Sequence, residues 1–80
     1  MYEVVEYRCC DGICGVENYH EDKEIVLFQH KDKPQCIHFM KLRAHEKGTK
    51  DIIIKDETHV SYRFFVNELV GTINMRVQLK

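Results

Sequence analysis

The sequence predicts a mainly β fold, a small antiparallel meander of about six strands curling toward a barrel or sandwich. Two observations carry that expectation. Between Thr58 and Lys80, apolar and polar side chains alternate with a period of two on either side of Asn67-Glu68. Connections from Gln29 onward are also short, which favours neighbouring antiparallel strands. The competing architecture is α+β, with one helix at 35–46 or 61–70 laid on a sheet.

Taken in order, Tyr2 to Cys9 reads as a first strand, and the adjacent Val4-Val5 breaks the alternation as burial on both faces would. Cys10-Asp11-Gly12-Ile13-Cys14-Gly15 is turn chemistry, because glycine accepts the positive φ angles of tight turns. Asn18 to Lys23 is polar and reads as loop. Glu24 to Gln29 holds the continuous apolar run Ile25-Val26-Leu27-Phe28, which suits a buried central strand. His30 to Pro34 closes it, since proline cannot donate to a central ladder. Gln35 to Glu46 fits two periods. As a strand it sets Cys36, His38, Met40, Leu42 and Ala44 on one face; as a helix ended by Gly48 it groups Cys36, Phe39, Met40 and Arg43. The strand is the cleaner pattern. Lys47-Gly48-Thr49 turns the chain, Asp51 to Lys55 forms a strand around Ile52-Ile53-Ile54, and Asp56-Glu57 turns again.

The final hairpin is the most constrained element. With Asn67-Glu68 as a two-residue turn, Val66 opposes Leu69, Phe64 opposes Gly71, Tyr62 opposes Ile73 and Val60 opposes Met75. Both apolar faces then share one side, and a slip of one residue would put Arg63 and Ser61 among apolar partners. Tyr62, Phe65, Val66, Leu69 and Val70 also sit at helical spacing, but Val60 to Val66 is rich in β-branched and aromatic residues.

The chain of 80 residues is expected to form a single domain, 1–80. A domain this small buries only about 60% of its unfolded surface, so a metal or a partner subunit would matter to its stability. No apolar run reaches membrane-spanning length, and the acidic start Met1-Tyr2-Glu3-Val4-Val5-Glu6 lacks the order of a secretory signal. A cytoplasmic protein without membrane contact is therefore expected. Its cysteines are then reduced thiols or metal ligands rather than a disulfide framework. The net charge is −1 but unevenly spread. Residues 1–24 are acidic, with only Arg8 and Lys23 as cations, whereas 29–50 carry Lys31, Lys33, Lys41, Arg43, Lys47 and Lys50. This is not the globally basic footprint of a dedicated nucleic-acid binder.

Three constellations could carry chemistry. Cys10, Cys14, Cys36 and His38 offer three thiolates and an imidazole, the donor set of a structural zinc site. Cys9 can replace Cys10, and His20 and His30 are spare imidazoles. The spacing C-x3-C with C-x-H is unspecific, and the plainer reading makes Cys9 and Cys36 small core residues. If 35–47 is a strand, Phe39, Lys41, Arg43, His45 and Lys47 align on one face. That stripe mixes a ring with cations, as a surface for single-stranded nucleic acid or a nucleotide would. The plainer reading is a solvated face with one Phe under lysine stems. The third is an interface of Phe65, Val70 and Phe39, apolar residues that the strand reading turns outward.

No catalytic motif is evident, neither G-x-S-x-G, nor a phosphate-binding glycine loop, nor H-E-x-x-H. Arg8 flanks Cys9-Cys10, but Asp11 opposes the lowered thiol pKa that a nucleophile needs. The sequence thus points to a non-catalytic binding or regulatory module that docks onto another protein or onto itself. A nucleic-acid or nucleotide binder and a zinc-stabilised module are the alternatives.

Overall fold

The computed structural model describes residues 1–10, 24–46, 51–66 and 69–80, with the side chains of 8–10, 64–66 and 69–70 outside that set. Five strands and one helix follow in the order β1 (Tyr2–Cys10), β2 (Ile25–His30), α1 (Lys33–Glu46), β3 (Asp51–Asp56), β4 (His59–Val66) and β5 (Leu69–Leu79). The strands form one antiparallel sheet in the order β2-β1-β5-β4-β3. The protein is thus mainly β, as the alternation predicts.

The arrangement differs from the expected meander in three ways. Five strands are present among the described residues, rather than about six. The sheet is not closed into a barrel, because β2 and β3 end it on opposite sides. Its order is also not sequential, since β1 lies between β2 and β5, and α1 carries the chain from one edge to the other.

The segment 35–46 is helix, not strand. Pro34, read as a ladder breaker, sits in the first helical turn, where its missing N–H costs nothing. The Asp32 carbonyl accepts from Gln35 N–H at 3.2 Å to open that turn. Cys36, Met40 and Ala44 are buried, one above another at intervals of four. The strand face would have buried His38 and Leu42 with them, and both are exposed.

α1 packs on the face of the sheet that carries Val4, Val60, Tyr62, Ile73, Met75 and Val77, and these close the core with Cys36, Met40 and Ala44. Val5 is buried on the other face of β1, so the Val4-Val5 pair is covered on both sides as its sequence suggests. The C-terminal hairpin has the register read from its alternation: Val66↔Leu69, Phe64↔Gly71, Tyr62↔Ile73 and Val60↔Met75. The helix alternative at 61–70 is thereby excluded for the described residues, while Asn67-Glu68 itself lies outside them. Asp56 closes the preceding turn, accepting from the backbone N–H and hydroxyl of Thr58 at 2.8 Å each.

Ile25 to Phe28 is not a central strand. β2 is an edge, and Ile25 and Val26 are exposed. Its pairing with β1 shifts between Val4 and Val5, skipping Leu27. Leu27 and Phe28 pack against the core, so only part of that apolar run is covered.

Candidate protein-binding edge

β3 is the opposite edge, and its residues are exposed throughout. It runs Asp51-Ile52-Ile53-Ile54-Lys55-Asp56 and pairs with β4 alone, as Ile52↔Tyr62, Ile53↔Ser61 and Ile54↔Val60. Strand alternation puts Ile52 and Ile54 on the helix side and Ile53 on the far side. α1 packs mainly on β1, β2, β5 and β4, and the helix-side Ile52 and Ile54 remain 36% and 53% exposed. Ile53 and Ile54 are 51% and 53% exposed, unusual for β-branched residues in mid-strand. Edge strands are ordinarily blunted by charge, bulges or cover, because their outward N–H and C=O groups recruit another chain. β3 has a shift in pairing between Ile54 and Asp56, but the stretch before it is uninterrupted.

Beside Ile53 on the far face lies a cleft of about 190 Å³, lined by Lys55, Ser61, Arg63, Thr72 and Asn74 among others. Sites that enclose a small molecule run from about 300 Å³ upward, so this is a dent next to an edge. Its floor is satisfied internally, with the Ser61 hydroxyl donating to Asn74 Oδ1 at 2.6 Å.

Several charged groups elsewhere are engaged within the fold. On the far face, Gln78 and Gln29 donate to the two oxygens of Glu3 at 2.6 and 3.2 Å, and those bonds hold its carboxyl below the usual range. Arg76 reaches Gln78 at 3.2 Å and Glu24 at 2.6 Å, and lies over the Tyr7 ring. On the helix side, Tyr62 donates its hydroxyl to Glu6 at 2.6 Å, with Arg43 Nε 3.7 Å from the same oxygen. Burial first, and then the Glu6 carboxylate, push the Tyr62 phenol well above its ordinary pKa. This triad fastens α1 to the sheet.

The described members of the zinc ligand set are not brought together. Cys36 and His38 are two positions apart on a helix and so project about 200° apart. Cys36 is fully buried, with its thiol 3.7 Å from the Tyr2 carbonyl, whereas His38 is exposed. Cys10 ends the strand that Tyr2 begins, about 26 Å away at roughly 3.3 Å per residue. Cys14 lies outside the described residues, as do His20 and the turn that holds Cys14. Among the described residues, no group of three or more His, Cys, Asp or Glu side chains converges as a metal site would require.

The basic stripe is likewise dispersed, because its alignment needed a strand. Lys41 and His45 are exposed on the helix, Arg43 turns toward Glu6, and Lys47 is outside the described residues. Phe39 stacks on Phe28 at 4.6 Å between centroids and 8° between planes, so it is not an outward-facing contact residue. Phe65 and Val70 are directly opposed in register, as expected, and their side chains lie outside the described set. The edge residues Ile52, Ile53 and Ile54 were readable as strand but not as a site. Three isoleucines in a row place apolar groups on both faces of the strand, and the sheet order is what makes that strand an edge.

No family model matches this chain, nor does any curated protein or solved structure.

Proposed function

We propose that this chain is a small non-catalytic binding module that acts through protein–protein contact at the β3 edge. The observation that carries the reading is a strand exposed at every position with three consecutive isoleucines at its centre. An added strand would satisfy the outward backbone groups and cover apolar side chains on both faces, the chemistry of β-augmentation. The carboxylates Glu3 and Glu6 are each held by partners within the fold, which supports a structural rather than a catalytic use. Cytoplasmic residence belongs to the same proposal and is supported by Cys36, a free and buried thiol. No described helix is long and apolar enough to cross a membrane.

A photoreactive phenylalanine analogue placed at Ile53, and separately at the exposed helix residue Leu42, tests the edge in living cells. Light-dependent adducts from position 53 and none from position 42 are expected. No adduct from position 53, or equal yields from both, would overturn the reading.

A further inference from the structure

Charge along β3 is antisymmetric about Ile53. Asp51 stands two residues before it and Lys55 two after. An antiparallel strand pairs residue by residue in reverse order. A second β3 laid against the first about a two-fold axis at Ile53 would therefore set Asp51 opposite Lys55 of the second copy, and Lys55 opposite its Asp51. Ile52 would face Ile54 twice, and Ile53 would meet itself.

From this we infer that the β3 edge pairs with the β3 edge of a second copy, in antiparallel register centred on Ile53. The inference rests on the edge-binding reading above and names its occupant. The two-fold axis stands perpendicular to the sheet, so the faces are conserved across the junction. Ile52 and Ile54 of both copies then adjoin on the helix side, where both are exposed. Ile53, Asp51 and Lys55 meet their counterparts on the far side, where Lys55 already lies beside Ile53 along the cleft. Directly opposed residues bring their Cβ atoms to about 5 Å, close enough for both the isoleucine contacts and the ion pairs. The shift in pairing falls at Lys55, which has no partner on β4; Asp51 to Ile54 are regular, and Lys55 stays beside Ile53 along the far-face cleft. Two five-stranded sheets joined in this way form one continuous sheet without the exposed β3 edges.

Sedimentation equilibrium on the purified chain and four variants tests the register. The wild type should show a monomer–dimer equilibrium. Asp51→Lys and Lys55→Asp should each weaken the dimer roughly tenfold, because each places like charges opposite one another at both ends of the junction. The double exchange Asp51→Lys with Lys55→Asp should restore it, since every opposed pair is again unlike. Ile53→Lys should abolish it by setting two cations on the axis. These residues are exposed, and circular dichroism should confirm that each variant remains folded. A wild type that stays monomeric at millimolar concentration overturns self-pairing. So does a dimer that the double exchange fails to restore. If the chain is monomeric yet position 53 still forms adducts with another protein, only self-pairing falls and the edge reading stands. A dimer indifferent to all four variants, with no adduct from position 53, removes both.

Discussion

Tyr62 on β4 reaches across β5 and donates its hydroxyl to Glu6 on β1 at 2.6 Å, while Arg43 of α1 approaches the same carboxylate oxygen at 3.7 Å. One carboxylate therefore gathers the two strands flanking β5 and the helix that covers them. A neutral donor serves this part-buried carboxylate well, since it satisfies an oxygen without adding a further charge to the one Arg43 brings.

Tyr62→Phe should cost roughly 1.5–3 kcal/mol, the range for hydrogen bonds to a charged acceptor. Alkali should reveal the same contact. Above the ordinary phenol pKa of 10.0 the unfolded chain releases its proton while folded Tyr62 keeps it, so the unfolded state binds fewer protons and stability falls as pH rises. Below that value the contribution is complete. Chemical denaturation at neutral and alkaline pH should show the variant less stable at neutrality and flatter in alkali. Parallel alkaline limbs would mean that Tyr62 is not protected.

The two central cations of the expected basic stripe now separate by surroundings. Lys41 is exposed, so Lys41→Glu should change stability by no more than about 0.5 kcal/mol. Arg43→Glu sets a carboxylate beside Glu6 and should cost on the order of 2 kcal/mol, less than a fully buried pair because the Arg43 side chain is 31% exposed. Thermal melts of the two variants decide the point. Equal melting temperatures would show that the Arg43–Glu6 contact contributes nothing.

How much of this was legible from sequence depended on how many faces each element buries. β4 and β5 each offer an apolar face and a polar one, so parity alone specified Tyr62↔Ile73 and Val60↔Met75. α1 buries only Cys36, Met40 and Ala44 completely, and those positions also satisfy a period of two. The arbiter was Pro34, whose exclusion from a ladder is equally a licence to begin a helix. The Cys36–His38 pair and the basic stripe both depended on the period at 35–46, so both lost their geometry with it. The β3 edge was hidden for a different reason. Ile52 to Ile54 reads locally as a strand, and only the sheet order, fixed by β1 entering between β2 and β5, leaves it outermost.

The core position of Cys36 yields the last prediction. Its thiol is fully buried and contacts the Tyr2 carbonyl, and burial raises its pKa above the ordinary 9.0. The thiolate is the reactive and metal-binding form, so the folded protein suppresses it by desolvation and by limiting access together. Iodoacetamide should leave Cys36 unmodified in native buffer and label it once denaturant opens the core, with peptide mass analysis assigning the site. Cys36→Ala should cost roughly 1–2 kcal/mol through lost packing, toward the low end of core truncations because little volume is removed. It should not alter whatever metal the purified chain carries, because a site that included both Cys36 and Cys10 would have to span the length of β1. Elemental analysis and melting of wild type and Cys36→Ala, each with and without a chelator, give the comparison. A stoichiometric metal lost in Cys36→Ala, or rapid native alkylation of this thiol, would show that Cys36 does not occupy the core position beneath α1.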